Sequence, residues 1–179
     1  MALKATVFKA ALQIADMDRH LYQDFNLTLA RHPSETDERM MLRLLAFAHH
    51  ASDTLQFTKG LSTDDEPDLW EKDLSGDIAL WIDLGLPDES RVRKACARSR
   101  QVWLYTYGGR AASLWWQKNG SRLARFDNLH VVNIPAEVSS ALAALAERTM
   151  QLQCNIQDGQ LWIGDGTQTV TVEPESLYP

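Results

Sequence analysis

Apolar and polar residues alternate loosely from Leu3 to Ala15, and the alternation resumes from Tyr22 to Ala30. Between them Asp16-Met17-Asp18 supplies turn chemistry, so the opening of the chain reads as a β-hairpin. Arg31-His32-Pro33-Ser34 breaks the second strand. The period then changes. Met41, Leu42, Leu44, Leu45 and Phe47 recur as on a broad helical face, which predicts a helix running to about His50. Ser34 is the expected N-cap, and Asp37 stands three residues on, where a capping box places Glu. Glu35, Asp37 and Glu38 gather at the positive end of the helix dipole. Glu38 precedes Met41, Leu42 and Leu45 by helical spacings and so shares their face, with Glu35 one turn earlier on nearly the same line.

Further along, Thr54 to Phe57 reads as a short strand and Ser62 to Trp70 as an acidic, proline-containing connection. The run Ile78 to Leu84 is the most apolar strand and is expected at the centre of a sheet. Asp88 or Ser90 caps a helix to about Arg98, and Gln101 to Tyr107 is the next strand. Gly108-Gly109 ends it, and Ala111 to Lys118 is helical. Leu129 to Ile134 is a strand, and Pro135 opens a helix expected over Ala136 to Met150. Gln151 to Ile156 and Gln160 to Ile163 flank Asp158-Gly159, the signature of a hairpin with a two-residue turn. Val170 to Val172 suggests one more strand. Strands and helices alternate through the middle and hairpins close both ends. The expected fold is therefore α/β, a mixed central sheet flanked by helices with terminal β-hairpins, in a single domain over 1–179.

Composition narrows the class. With 179 residues, 45% hydrophobic and 23% charged, the chain suits one globular domain. It contains no apolar run of membrane-spanning length and its first residues lack a signal-peptide core, so a cytoplasmic protein without a membrane partner is expected. Cys96 and Cys154 stand in no metal or redox spacing and read as small buried hydrophobes. The net charge of −6 is unevenly spread. From Asp53 to Glu89 there are eleven acidic residues and two basic ones; from Arg91 to Phe126 there are nine basic residues and no acidic one. Such segregation places an anion-binding face beside an acidic centre, or else gives two helices with solvated basic faces.

Several chemistries lack their residues. There is no G-x-S-x-G, Walker loop, G-x-G-x-x-G or H-E-x-x-H, and the five histidines have no zinc spacing. What remains is Glu35 or Glu38, Asp68, Asp83 and Lys94. Singly each has an ordinary role: a turn residue at Asp68, a strand end at Asp83, a helix ion pair at Glu38, a solvated Lys94. Together, a carboxylate before an apolar strand, a second at its end and a nearby lysine are the parts of a metal-dependent phosphodiesterase site, because hard divalent cations take oxygen ligands and phosphoryl chemistry needs a cation on the developing charge.

The runs RHPSETDERMMLRLLAFA, FTKGLSTDDEPDLW, LWIDLGLPDESRVRKA and YTYGGRAASLWW, with the opening ALKAT and the late QDGQLWI, resemble the YaeQ family of bacterial proteins over nearly the whole chain. That family resembles the PD-(D/E)XK nucleases in fold, which implies the active-site acids on a central hairpin. The resemblance puts the "PD" on Pro67-Asp68, the "(D/E)XK" on Asp83-Leu84-Gly85 and the helix acid on Glu35 or Glu38. Gly85 stands where the motif has lysine, and Lys94, on the following helix, is the candidate replacement. The implied activity is hydrolysis of nucleic acid with Mg²⁺ or Mn²⁺ held by Asp68, Asp83 and Glu38, Lys94 stabilising the phosphate. Arg91, Arg98, Arg110, Trp115 and Trp116 are candidate nucleic-acid contacts, the indoles by stacking, although neighbouring helix positions point about 100° apart and one is expected in the core. The alternative is a nucleic-acid-binding or regulatory protein that keeps the fold without turnover, and a third possibility is a protein-interaction module using the tryptophan surface.

Overall fold

The computed structural model describes residues 4–59 and 65–179. Leu3 and the Ser62-to-Asp64 part of the expected acidic connection lie outside the described residues. In chain order the elements begin with β1 (Thr6–Asp16), β2 (Leu21–Arg31), α1 (Asp37–His50) and β3 (Leu55–Phe57). Then follow β4 (Leu69–Lys72), β5 (Ile78–Leu84), α2 (Glu89–Arg98), β6 (Ser99–Thr106), α3 (Arg110–Leu123) and β7 (Leu129–Asn133). The chain ends with α4 (Ala136–Ala143), β8 (Thr149–Gln157), β9 (Gln160–Gly164), β10 (Thr169–Val172) and β11 (Glu175–Tyr178). Both flanking hairpins and the alternating middle match the sequence pattern. The strands, however, form two mixed sheets rather than one central sheet. The chain groups into two compact units, Met1–His49 with Glu137–Pro174, and His50–Ala136 with Glu175–Pro179.

The first unit holds the sheet β10-β9-β8-β1-β2. β1 pairs antiparallel with β2 and parallel with β8, so the opening strand is zipped to residues 149–156. Period-two alternation decides the faces: Phe8, Ala10, Leu12 and Ile14 are buried, while Val7, Lys9, Ala11 and Gln13 face outward. In the β8–β9 hairpin, Asp158 and Gly159 both take positive φ, as a two-residue primed turn requires. α1 is buried from Met40 to Ala48. Its cap is Thr36, whose hydroxyl accepts the Arg39 N–H at 3.1 Å, and not Ser34, whose hydroxyl is hydrogen-bonded to His32 at 2.7 Å. The helix expected to Met150 stops at Ala143. Its end tightens into Leu145-to-Leu142 and Ala146-to-Ala143 backbone bonds, and pairing with β1 then takes residues 149–156 into a strand.

The second unit holds the sheet β11-β7-β6-β5-β4-β3, with β5 central as expected. β5-α2-β6-α3-β7 is a double parallel crossover, and right-handed crossovers stepping in one direction put both helices on one face. That face packs Trp81, Val102, Leu104, Leu129 and Val131 against Val92, Ala95 and Leu123. Two strands were hidden in the sequence. β4 begins at Leu69, inside the stretch expected as a loop, and β11 is a short edge strand on β7. Cys96 is partly buried and Cys154 buried. Burial raises their thiols to about 11 and about 12, which keeps both protonated.

Candidate functional site

Asp68 and Asp83 meet at the end of the β4–β5 hairpin in the second unit. Leu69 pairs with Ile82, which sets the two aspartates against each other one step further along. The Asp68 N–H donates to the Ile82 carbonyl at 3.0 Å, and its Oδ2 accepts the Leu84 N–H at 2.8 Å, so Asp68 is bonded to the backbone on either side of Asp83. Asp68 is 3% exposed and Asp83 6%, so neither carboxylate is a solvated strand end. By alternation Asp83 lies on the same face as Trp81, under α2.

The cation on Asp83 is Arg91. Its Nε lies 2.9 Å from Oδ2 and its Nη2 3.1 Å from Oδ1, a two-pronged fork, and Nη2 also donates to the Glu66 carbonyl at 3.0 Å. Asp88 fixes the helix that carries it, accepting the Arg91 N–H at 2.8 Å as N-cap. Lys94 does not take the expected place. Val92 and Ala95 turn inward as the spacing predicts, but Lys94 is exposed and makes no ion pair among the described residues. It lines a cleft of about 610 Å³ with Trp81, Ser90, Arg91 and Arg98, and with the acidic Asp65 and Asp88. Gly85 has φ +114 and donates its N–H to the Tyr105 carbonyl at 2.9 Å. A lysine there would hold a strained backbone.

The two helix acids belong to the first unit, and each has its own partners. Glu35, 6% exposed, takes Arg39 Nη1 at 2.8 Å and both Arg43 Nε at 3.0 Å and Nη2 at 2.5 Å. Glu38 accepts the Ser139 hydroxyl at 2.9 Å. Among the described residues no group of three or more His, Cys, Asp and Glu side chains gathers as metal ligands do. With both Asp83 oxygens in a guanidinium fork and Asp68 bonded to backbone, this arrangement does not fit a divalent cation as it stands.

Of the nine basic residues from Arg91 to Phe126, four pair with carboxylates: Arg91, Arg100, Arg122 and Arg125. Arg98 donates to the Asp65 carbonyl at 2.9 Å and lies over the Trp81 ring. Arg100 pairs with Asp73, and Arg125 and Arg122 reach Glu89 at 2.8 and 3.8 Å. Arg93, Lys94, Arg110 and Lys118 make no ion pair among the described residues. Trp115 and Trp116 are both partly buried against the core under α3. The Trp115 indole N–H donates to the Pro87 carbonyl at 2.9 Å, and the Trp116 ring lies over Gly120 one turn on. The expected split of one core and one exposed indole is absent.

Arg91 is the central group that the sequence pattern left among generic phosphate contacts. One signal pointed to it. It sits three residues after the cap, in the first turn, where the dipole disfavours a cation and a carboxylate is usual. A cation held there needs a nearby anion, and Asp83 is the apolar strand's own terminal charge.

The YaeQ protein family's sequence profile matches residues 1–174. The uncharacterized YaeQ protein of Escherichia coli (strain K12) is 52% identical over 172 residues, 96% of this chain and 95% of that one. The relative from Salmonella typhi is 50% identical over 173 residues, 97% and 96% of the two chains. The crystal structure of YaeQ from Xanthomonas axonopodis pv. citri superposes with a TM-score of 0.94 at 52% identity, covering 97% of this chain and 98% of that one. That from Pseudomonas syringae gives 0.93 at 34% identity over 98% and 97%. The chain belongs to the YaeQ family.

Proposed function

We propose that the protein binds phosphate-bearing polymers, nucleic acid being the natural candidate, through the cleft beside α2, and does so without turnover. The observation that carries this reading is the Arg91–Asp83 fork. It occupies the carboxylate that catalysis would require, and it holds a guanidinium in the lining of a cleft that also presents Lys94, Arg98 and Ser90 beside Asp65 and Asp88. Supporting it is Lys94, an exposed cation in the lining of that cleft. In this reading the PD-(D/E)XK-like hairpin is retained as a mounting for a cation.

The experiment is fluorescence anisotropy with labelled single- and double-stranded DNA and RNA, repeated over a salt series, with the same samples run on a gel after incubation with Mg²⁺ and Mn²⁺. Expected is binding that weakens steeply with salt, intact oligonucleotides throughout, and a shallower salt slope for Lys94→Glu. Binding indifferent to salt would sink the proposal.

Metal-dependent hydrolysis is the second reading, and one observation favours it: two buried carboxylates oppose each other at a strand end. It requires Asp83 to exchange its guanidinium for Mg²⁺ or Mn²⁺. Cleavage that appears with Mn²⁺ and vanishes in Asp83→Asn would establish it over the first.

A further inference from the structure

We propose that the protein forms a two-fold symmetric dimer in which β2 pairs antiparallel with β2 of a second copy, centred on Phe25, so that two five-stranded sheets join into one of ten strands. The first observation is the length of this edge. The two sheets present four edge strands: β10, β3 and β11 have four, three and four residues, and β2 has eleven. β2 pairs with β1 on one side and, among the described residues, with no strand on the other. Long open edges are normally guarded by proline, lysine or a bulge, because they are a template for any other strand. β2 contains no proline and no lysine, and its register against β1 runs unbroken from Leu21 to Arg31.

The backbone fixes which groups this edge presents. The Lys9 N–H donates to the Arg148 carbonyl at 2.9 Å and the Met17 N–H to the Ile156 carbonyl at 2.8 Å, so the odd-numbered residues along β1 point their peptide groups toward β8. The even-numbered ones point toward β2, where their partners are Leu21, Gln23, Phe25, Leu27, Leu29 and Arg31. Those six bond inward. Tyr22, Asp24, Asn26, Thr28 and Ala30 therefore turn their N–H and C=O groups to the open edge. Ala30 bears out the direction, because its carbonyl accepts Arg43 Nη2 at 3.1 Å. That contact closes the Ala30 end and leaves Tyr22 to Thr28 for a partner strand.

This stretch is complementary to itself, which singles out a second copy as the partner. Two-fold pairing about Phe25 sets Tyr22 against Thr28 and Asp24 against Asn26, each twice, with about eight inter-chain hydrogen bonds, two for each facing pair. Phe25 meets Phe25, Leu21 meets Leu29 and Gln23 meets Leu27 at the non-hydrogen-bonded positions, where side chains come closest. Asp24 is the one charged residue from Leu21 to Ala30, and here it faces a neutral amide. The neighbouring registers are worse. Pairing about Asp24 sets two carboxylates directly opposite each other. Pairing about Asn26 brings Tyr22 to Ala30, whose carbonyl is already taken.

Side-chain burial agrees. On β1 the core-facing Phe8, Ala10, Leu12 and Ile14 are buried, whereas on β2 the core-facing Leu21, Phe25 and Leu27 are only half-buried. One further strand would cover them as β2 covers their neighbours on β1. Phe25 already rests edge-on against Phe47 of α1, with ring centroids 5.2 Å apart, so the ring at the centre of the contact is held in place before a partner arrives. A ten-stranded sheet is at the upper end of the usual range.

The test is sedimentation equilibrium of the whole protein. The expected mass is twice that of the 20.2 kDa chain at about 100 μM, above the micromolar dissociation constant of a modest interface. Asn26→Pro removes an N–H that points to the open edge and leaves the β1 ladder its bonds, so it should give a monomer with an unchanged far-ultraviolet spectrum. Two charge variants read the register. Asn26→Asp opposes Asp24 of the other copy and should weaken the dimer by about fivefold, and Asn26→Lys should tighten it by a similar factor. These two decide the matter even if the proline variant fails to fold. A wild-type monomer at about 100 μM would leave the edge to a strand of another protein and overturn the proposal. So would a dimer that Asn26→Pro leaves intact, or Asp and Lys variants that shift the affinity in the same direction. The proposal rests on no property of the α2 cleft, so the two readings stand or fall separately.

Discussion

The Arg91 guanidinium lies across both carboxylate oxygens of Asp83, with Nε–Oδ2 at 2.9 Å and Nη2–Oδ1 at 3.1 Å. The arginine side chain is 29% exposed and the aspartate side chain 8%, so the pair is screened on one side only. Removing the arginine strands a buried carboxylate, and fully buried pairs broken this way lose about 3–5 kcal/mol. Partial exposure lowers the expectation for Arg91→Leu to about 2 kcal/mol. Asp83→Leu combined with Arg91→Leu should recover most of that loss, since two apolar groups replace two charges. Urea unfolding of the four species, taken as a double-mutant cycle, measures the coupling. A double variant no more stable than Arg91→Leu would show that the fork holds more than the charge balance.

Gly85 decides whether a lysine can be placed directly after the β5 strand. Its φ of +114 is a conformation L side chains rarely adopt, while nothing lies within 4 Å of where a Cβ would sit. The penalty is therefore backbone strain and not collision. Gly85→Ala and Gly85→Lys should lose the same stability, about 1–3 kcal/mol, whatever the side chain. A Gly85→Lys variant as stable as the wild type would contradict this.

Much of the fold was legible because its strands alternate cleanly. β1 and β8 alternate buried with exposed residues, β2 half-buried with exposed and β9 half-buried with buried, and the Asp158-Gly159 turn fixes the register of β8 on β9. β4 was hidden because Leu69-Trp70-Glu71-Lys72 is too short to show a period, and its pairing with β5 is what makes it a strand. The overextended fourth helix has the same cause. Residues 144–150 favour helix locally, and the parallel ladder with β1 overrides them from 149 onward. In the site, Asp68 and Asp83 were readable from the apolar run between them. The choice of Arg91 over Lys94 was not, because both lie on one short helix and only the capping geometry at Asp88 decides which turns toward β5.

Glu35 is held by two arginines, and it is an ion cluster rather than a poised ligand. The Arg43 side chain is 6% exposed and Glu35 2%, so replacing the carboxylate with an amide leaves two guanidiniums without their counter-charge. Glu35→Gln should cost about 2–4 kcal/mol. Glu38→Gln, which keeps an oxygen for the Ser139 hydroxyl, should cost under about 1 kcal/mol. Thermal melts of the two variants side by side check the ordering, and equal losses would argue against it.

Alanine usually improves a helix interior over glycine by about 1 kcal/mol. Gly120 in α3 should show the opposite sign. A Cβ there would lie 2.9 Å from the Trp116 ring, and the ring packs against the core of the second unit, so it has little freedom to retreat. Gly120→Ala is expected to lower stability and to alter the near-ultraviolet signal of the tryptophans. A stabilised variant with an unchanged spectrum would mean that the ring moves without cost.

His49 gives the first unit a pH dependence. Burial, with the Arg19 guanidinium adding to it, pushes the imidazole down from 6.5 to about 4 against the opposing pull of Asp16 and Asp18. The native state thus keeps His49 neutral where the unfolded chain would protonate it. Above about pH 6.5 neither state binds the proton and the full stability is present. As pH falls toward 4 the unfolded state gains protons and stability drains away, by up to about 3 kcal/mol. His130 in the second unit is also lowered by burial and adds a loss of the same sign in the same direction. The carboxylates of Asp18, Asp73 and Asp165 are held below 3.8 by hydrogen bonds, so their losses come later, below the histidine window. Urea midpoints measured from pH 7 to pH 4 should therefore fall for the wild type. His49→Gln, which cannot protonate, should flatten that fall while leaving the smaller slope from His130. An identical pH profile for the variant would show that His49 is not the group that titrates.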